Sequence, residues 1–232
     1  MNKQRLMEEI RKIEKEYLKP QSFKKYSNYW LPEKVVKESK NVLSFGIHRD
    51  VSWEQAMVRD NPNMNIHLYD PTPDSISLFN VNFPGKKNMT FHPVAHARQN
   101  GTMKFYYDRN RPNMYSLVPM EKWGGAFASY IEVEAKNLKT IMKDDMPEVD
   151  IIKADIEGTW LDFANDVLDN NIDFKAFLLE CEIADIGDPQ TVLGQYEDLL
   201  KKFIERDYDL YLNTPREKAM SESVILKKGI LD

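Results

Sequence analysis

The chain has 232 residues, 42% hydrophobic and 30% charged, with a formal net charge of −5 and one cysteine, Cys181. That length and apolar fraction suit one large α/β domain with a real core, and a lone thiol excludes an internal disulfide or a cysteine zinc site. The acidic balance argues against a nucleic-acid partner, the start from Met1 to Glu9 is too charged for a signal peptide, and no apolar run approaches the ~20 residues that span a bilayer, so the expectation is an intracellular, cytoplasmic protein.

Leu6, Ile10, Ile13 and Tyr17 recur at helical spacing among Lys, Arg and Glu, predicting an amphipathic helix that stops near Pro20. Its dry stripe is read as packing on the main domain, with a dimer contact or substrate lid as alternatives. Residues 21–33 carry Phe23, Tyr26, Tyr29, Trp30 and Pro32 and read as an ordered connection, so 1–40 precede a domain at 41–232. From Asn41 onward short apolar runs alternate with helical patterns, the signature of βαβ units. Strands are expected at 41–45, 65–69, 89–94, 149–154, 174–181, 208–212 and 223–227. Helices are expected at 52–59, 74–79, 135–143, 160–170 and 189–206, the last with a wide apolar face behind an Asp188-Pro189 start. Residues 99–131 break the alternation and read as an insertion: a strand at 103–107, a turn at 109–113, and a tight or mobile connection at Gly124-Gly125. Tyr106, Tyr107, Tyr115 and Trp123 in this insertion could stack on a sugar or a base.

Sheets of this kind hold ligands beyond the carboxyl ends of their strands. The first strand ends in Ser44-Phe45-Gly46, and a glycine at a strand-to-helix turn lets backbone approach a ligand. The second ends in Asp70-Pro71, an acidic side chain about 20 residues beyond the glycine turn and so placed to accept from a ribose diol. One glycine, with no G-x-G-x-x-G, lacks the amide cradle of a pyrophosphate site; this argues against NAD and FAD and for a nucleoside without phosphates. A plain tight turn at Gly46 and a helix cap at Asp70 are the structural alternative.

The fourth strand leads into Lys153-Ala154-Asp155-Ile156-Glu157-Gly158. Alternation puts Lys153 and Asp155 on one side, and leaves Asp155 and Glu157 at the carboxyl end. Glu180 and Glu182 flank Cys181 at the end of the next strand, where they could share a proton or a divalent cation with Asp155.

The block Asp150-Ile151-Ile152-Lys153-Ala154-Asp155-Ile156-Glu157-Gly158 resembles that of FkbM-type methyltransferases, which depend on S-adenosylmethionine. The likeness extends to Leu68-Tyr69-Asp70-Pro71-Thr72-Pro73 and to Ser44-Phe45-Gly46-Ile47 with Trp53-Glu54, and covers roughly 41–182. It implies a Rossmann-like class I methyltransferase fold: a seven-stranded, mostly parallel sheet with an antiparallel last strand. It also implies that Phe45, Gly46 and Ile47, with Ser44 and Glu54, line the methionine and ribose portion of the cofactor. Asp70 and Pro71 would lie at the ribose, Val94 and Ala95 near the adenine, and Asp155 beside the methyl group. Ser44, Ile47 and Thr159-Trp160 depart from the commonest family pattern.

An alcohol acceptor must lose its proton as the new bond forms, a task for a strand-end carboxylate or histidine. Asp155 is the first choice of base, with Glu157 and His96, and beside it His92, as secondary candidates. A magnesium ion between Asp155 and Glu180 or Glu182 is the other way to lower the hydroxyl's pKa. The expected activity is O-methylation of a sugar, glycan or small molecule; RNA 2′-O-methylation and a non-catalytic nucleoside-binding domain are the alternatives.

Overall fold

The computed structural model describes residues 1–108, 111–119, 129–183, 187–213 and 221–232. Gly124, Gly125 and Trp123 lie outside them. Helix α1 (Lys3–Tyr17) starts under Asn2, whose side chain accepts from Arg5 N, and buries Leu6 and Ile10. Its stripe joins the core made by the penultimate strands and the last helix, and Tyr17 donates to Glu197 of that helix. The aromatic connection is more regular than expected. It forms a hairpin of β1 (Lys24–Tyr26) and β2 (Tyr29–Leu31), followed by a short helix α2 (Glu33–Glu38). The hairpin is pinned to the domain: Tyr26 and Lys24 donate to Asp60, Ser27 and Ser52 hydroxyls meet at 2.5 Å, and Trp30 N donates to Asn213.

The α/β units follow in the expected order, with β3 (Asn41–Phe45), α3 (Ser52–Asp60), β4 (Asn65–Tyr69), α4 (Pro73–Phe79) and β5 (Met89–His92). The strand expected at 89–94 is two strands. Proline has no N–H to give to a ladder, so Pro93 ends β5, and β6 (Val94–His96) starts a second sheet. That sheet continues with β7 (Gly101–Asp108), β8 (Arg111–Ser116) and β9 (Ser129–Lys136), in the order β6-β9-β7-β8. Residues 111–113 are therefore strand rather than turn. The helix expected from 135 begins at α5 (Leu138–Asp144), because Ala135 and Lys136 finish β9 and the Asn137 side chain caps at Thr140 N. β9 buries Ser129, Val133 and Ala135, half-buries Ile131 and exposes Tyr130, Glu132 and Glu134, the two-residue period of a strand with one wet face.

The remaining elements are β10 (Ile151–Ala154), α6 (Trp160–Asp169), β11 (Ala176–Cys181), α7 (Pro189–Glu205), β12 (Tyr208–Leu212) and β13 (Ser221–Lys227). The main sheet has seven strands in the order β12-β13-β11-β10-β3-β4-β5, with β13 antiparallel to both its neighbours. Both faces are dry. Ile152, Phe163, Phe177 and Phe203 pack with α1, α6 and α7 on one face; Ile151, Leu178, Met57 and Leu31 pack with the hairpin, α2 and α3 on the other. Among the described residues no helix is long and apolar enough to cross a membrane.

Candidate active site

The tips of β3, β4 and β10 open into a cleft of about 300 Å³. Register fixes its floor: Phe45 faces Ala154 on one side and Tyr69 on the other. The hairpin closes one side through Asn28 and Tyr29, and the second sheet closes the other through Phe105, Tyr115 and Leu117. Ser116 of that sheet donates to the main-chain oxygen of Glu157 at 2.8 Å, tying the wall to the β10 tip.

Gly46 turns the chain at φ +75°, and a Cβ there would sit 1.7 Å from the main-chain oxygen of Asp155. Only glycine permits this approach of two strand tips. Asp70 is 4% exposed and organises the same turn. Its Oδ2 accepts from Ile47 N at 3.0 Å and His48 N at 2.7 Å, and its Oδ1 accepts from Thr72 N at 2.8 Å. Asp70 also lines the cleft, with three main-chain N–H groups already on its carboxylate. Pro71 lines the cleft beside it.

Beneath the turn is a buried polar layer. Ser44 is fully buried and does not line the cleft; its hydroxyl donates to Glu54 Oε1 at 2.6 Å. Glu54 does line it, and burial pushes its carboxyl up, against the charge of Lys153 and the Ser44 hydrogen bond. Lys153, in register with Ser44, donates from Nζ to Gly46 O at 2.9 Å and lies 3.5 Å from Asp155 Oδ2. Tyr29 donates to the same Oδ2 at 2.7 Å, with its ring 5.3 Å from the Lys153 ammonium and edge-on to Trp53. The Asp155 side chain remains 31% exposed. Two groups thus orient one carboxylate oxygen while the side chain stays open to the cleft.

Phe45, Gly46, Ile47, Ala95, His96, Asp155 and Glu157, all named from the sequence, line the cleft. Val94 does not: it packs into the core against the α6 face. His96 is held in the wall, its Nε2 2.9 Å from Asp166 Oδ2, which also accepts from Leu138 N. Those hydrogen bonds outweigh burial and hold Asp166 below the usual carboxylate range. The His96 side chain is 0% exposed. His92 does not itself line the cleft; it stacks behind Tyr69, which does, with ring centroids 4.5 Å apart, and is paired with His67 at 3.0 Å.

Asp155, Glu180 and Glu182 bring carboxylate oxygens within 4.8 Å of one another. Oxygen donors of this kind suit a hard divalent cation such as Mg²⁺. Glu182 has an alternative: burial, then the carboxylates of Glu157, Glu180 and Asp155, push it well above the usual range, so a shared proton also relieves the repulsion. Glu182 Oε2 accepts from Gly158 N at 3.1 Å, and neither Glu180 nor Glu182 lines the cleft. Burial likewise pushes the Cys181 thiol up, which leaves it inert.

Tyr29 and Phe105 were absent from the sequence-based site, whereas Tyr115 was named there as a stacking residue and does line the cleft. Tyr29 lies 126 positions from its carboxylate partner, and no local pattern signals such a contact. Lys153 was visible as a same-side neighbour of Asp155, but its grip on Gly46 was not.

The strand order with a reversed final strand, and a single-glycine turn facing a cleft at the strand tips, define a Rossmann-like methyltransferase fold. The sequence is more specific: residues 18–209 match the methyltransferase FkbM domain, and the chain belongs to that family. It is therefore an S-adenosylmethionine-dependent methyltransferase. Among solved structures, similarity extends to the fibrillarin pre-rRNA processing protein of Methanococcus jannaschii, at 12% identity and TM-score 0.48, over 87% of this chain and 71% of that one. The O-methyltransferase TomG of Streptomyces achromogenes, solved with its cofactor, is 8% identical with TM-score 0.46, over 85% and 79% of the two chains. The N-terminal domain of EvdMO1, solved with S-adenosylhomocysteine and D-fucose, is 8% identical with TM-score 0.45, over 98% and 97%. No curated protein sequence matches the chain.

Proposed function

We propose that the protein is an O-methyltransferase acting on a hydroxyl of a sugar or other small molecule, with Asp155 as general base. The observation that carries this is the Asp155 carboxylate at the β10 tip, oriented through Oδ2 by Tyr29 and Lys153 and 31% open to the cleft. The donor fits the floor: the Gly46 turn leaves bare backbone under it, and the Asp70 carboxylate lines the cleft for a ribose hydroxyl. A sulfonium methyl donor brings its own leaving group, so the protein's task is alignment, exclusion of water and proton removal. Asp155 takes the hydroxyl proton as the carbon–oxygen bond forms and the sulfur recovers the electron pair of the breaking bond. Phe105 and Tyr115, stacked with centroids 5.5 Å apart, give an aromatic wall suited to a sugar ring.

The test is product analysis by mass spectrometry after incubation with S-adenosylmethionine and a panel of glycosides, phenols and short RNAs, comparing wild type with Asp155→Asn. A methylated hydroxyl whose yield falls about 10²–10⁴-fold in the variant is expected. Equal rates in both proteins, or transfer confined to RNA or to nitrogen, would overturn the reading.

A further inference from the structure

Lys153 and Asp155 line the cleft as opposite charges that stop short of each other. The Lys153 side chain is 6% exposed and its Nζ lies 3.5 Å from Asp155 Oδ2, whereas an ammonium in contact with a carboxylate settles at about 2.7–2.9 Å. Its hydrogen bond goes instead to a neutral carbonyl, Gly46 O, at 2.9 Å. Opposite charges attract more strongly in a protein wall than in water. A buried lysine that bonds a carbonyl rather than the acid beside it is therefore being held there.

Tyr29 touches both partners. Its hydroxyl donates to Asp155 Oδ2 at 2.7 Å, and its ring centroid is 5.3 Å from the Lys153 ammonium. A ring attracts a cation most effectively where water is excluded, and a hydroxyl on Oδ2 meets part of the carboxylate's demand for donors. Tyr29 is itself fixed. It is 7% exposed in β2, its ring meets Trp53 edge-on at 6.0 Å, and its register partner Tyr26 is anchored to Asp60. The turn between them is tied to α3 through the hydroxyls of Ser27 and Ser52. The tyrosine thus comes from a hairpin anchored independently of the two charges that it separates.

We propose that Tyr29 is a positioning residue that works as a spacer, keeping Lys153 on Gly46 O and off the Asp155 carboxylate. The spacer serves both halves of the reaction. On the donor side the lysine stays under the glycine turn; on the acceptor side the carboxylate keeps its open edge toward the cleft. Without the hydroxyl, the ammonium moves onto Oδ2, the Gly46 carbonyl loses a buried donor, and the acid is tied up as an ion pair. The proposal rests on Asp155 as base and deepens that reading: the base is available because a group from outside the α/β units holds the neighbouring cation away.

A double-mutant cycle read by isothermal titration with S-adenosylhomocysteine tests the spacer without an acceptor. Tyr29→Phe keeps the ring and removes the hydroxyl; Asp155→Asn keeps the shape and removes the charge that would capture the lysine. Tyr29→Phe alone should weaken S-adenosylhomocysteine binding about fivefold or more, whereas in the Asp155→Asn background it should change affinity by less than about twofold. A merely structural tyrosine would give as large a loss in both backgrounds; that result overturns the spacer, and so does wild-type affinity in Tyr29→Phe. Neither outcome touches Asp155 as base, which stands or falls on methyl transfer by Asp155→Asn. Wild-type protein that binds no S-adenosylhomocysteine would overturn the donor placement and the spacer with it. Should Tyr29→Phe fail to fold, the double variant decides: recovery of a cooperative melt supports the spacer, and a second failure overturns it.

Discussion

Replacing Asp70 by asparagine removes a charge while keeping the side chain's shape, and the three main-chain donors around it make the outcome calculable. Oδ2 accepts from Ile47 N and His48 N, and Oδ1 from Thr72 N. An amide must turn its NH₂ toward one of these edges. The better orientation keeps the carbonyl on Ile47 and His48, places two N–H groups against each other at Thr72, and makes the two surviving bonds neutral. Hydrogen bonds to a charged acceptor are worth about 1.5–3 kcal/mol and neutral ones about 0.5–1.5, so losing the Thr72 bond and weakening the other two costs about 3.5–6 kcal/mol. For a domain of this size that lowers Tm by about 7–24 °C. The ribose diol also loses its charged acceptor, which raises the S-adenosylhomocysteine Kd by about 10–150-fold. Thermal melts followed by circular dichroism and titration calorimetry read the two effects separately. A variant that melts within about 1 °C of wild type and binds equally well would show that Asp70 neither holds the turn nor meets the ligand.

Gly46→Ala meets two obstacles at once: a φ of +75° that costs an L-residue about 1–2 kcal/mol, and a Cβ 1.7 Å from Asp155 O. Separating the β3 and β10 tips should abolish S-adenosylhomocysteine binding and lower Tm, and wild-type affinity in the variant would refute the close approach. Glu182→Gln tests the acidic cluster through pH. Because the folded carboxyl is held well above its ordinary value, its contribution to stability is whole below about pH 4.5 and is lost as pH rises through the folded value. Glutamine imitates the neutral acid, so the variant should melt above wild type at about pH 8, with the gap closing at about pH 5. A lower Tm at the higher pH, with loss of a Mg²⁺-dependent stabilisation that wild type shows, would place a cation rather than a proton among Asp155, Glu180 and Glu182.

The parallel half of the sheet was legible because its strands are buried on both faces and read as unbroken apolar runs: Val42-Leu43 and Ile151-Ile152 each send one residue to either core. The second sheet was not. β9 alternates Ile131, Val133 and Ala135 with Tyr130, Glu132 and Glu134, but its end at Ala135-Lys136 runs into the helical pattern of α5, and Pro93 sits in what looks like one continuous strand. At the cleft, residues that follow a strand in sequence were identifiable, as with Gly46, Asp70 and Asp155, because strand ends determine what faces the ligand. Of the pair Val94-Ala95 named from the sequence, Val94 packs in the core and Ala95 lines the cleft together with His96. Contacts between distant segments, such as Tyr29 on Asp155, leave no periodic trace.

At Pro93 the edge of the main sheet stops, and among the described residues β6 to β9 pair only with one another. The barrier facing the glycine turn therefore carries its own ladder, joined to the β10 tip by the Ser116 hydroxyl on the Glu157 main-chain oxygen. A chimera that exchanges the segment between Ala97 and Ser129 but keeps Ser116 is expected to change which acceptors are methylated and to leave S-adenosylhomocysteine affinity as it was.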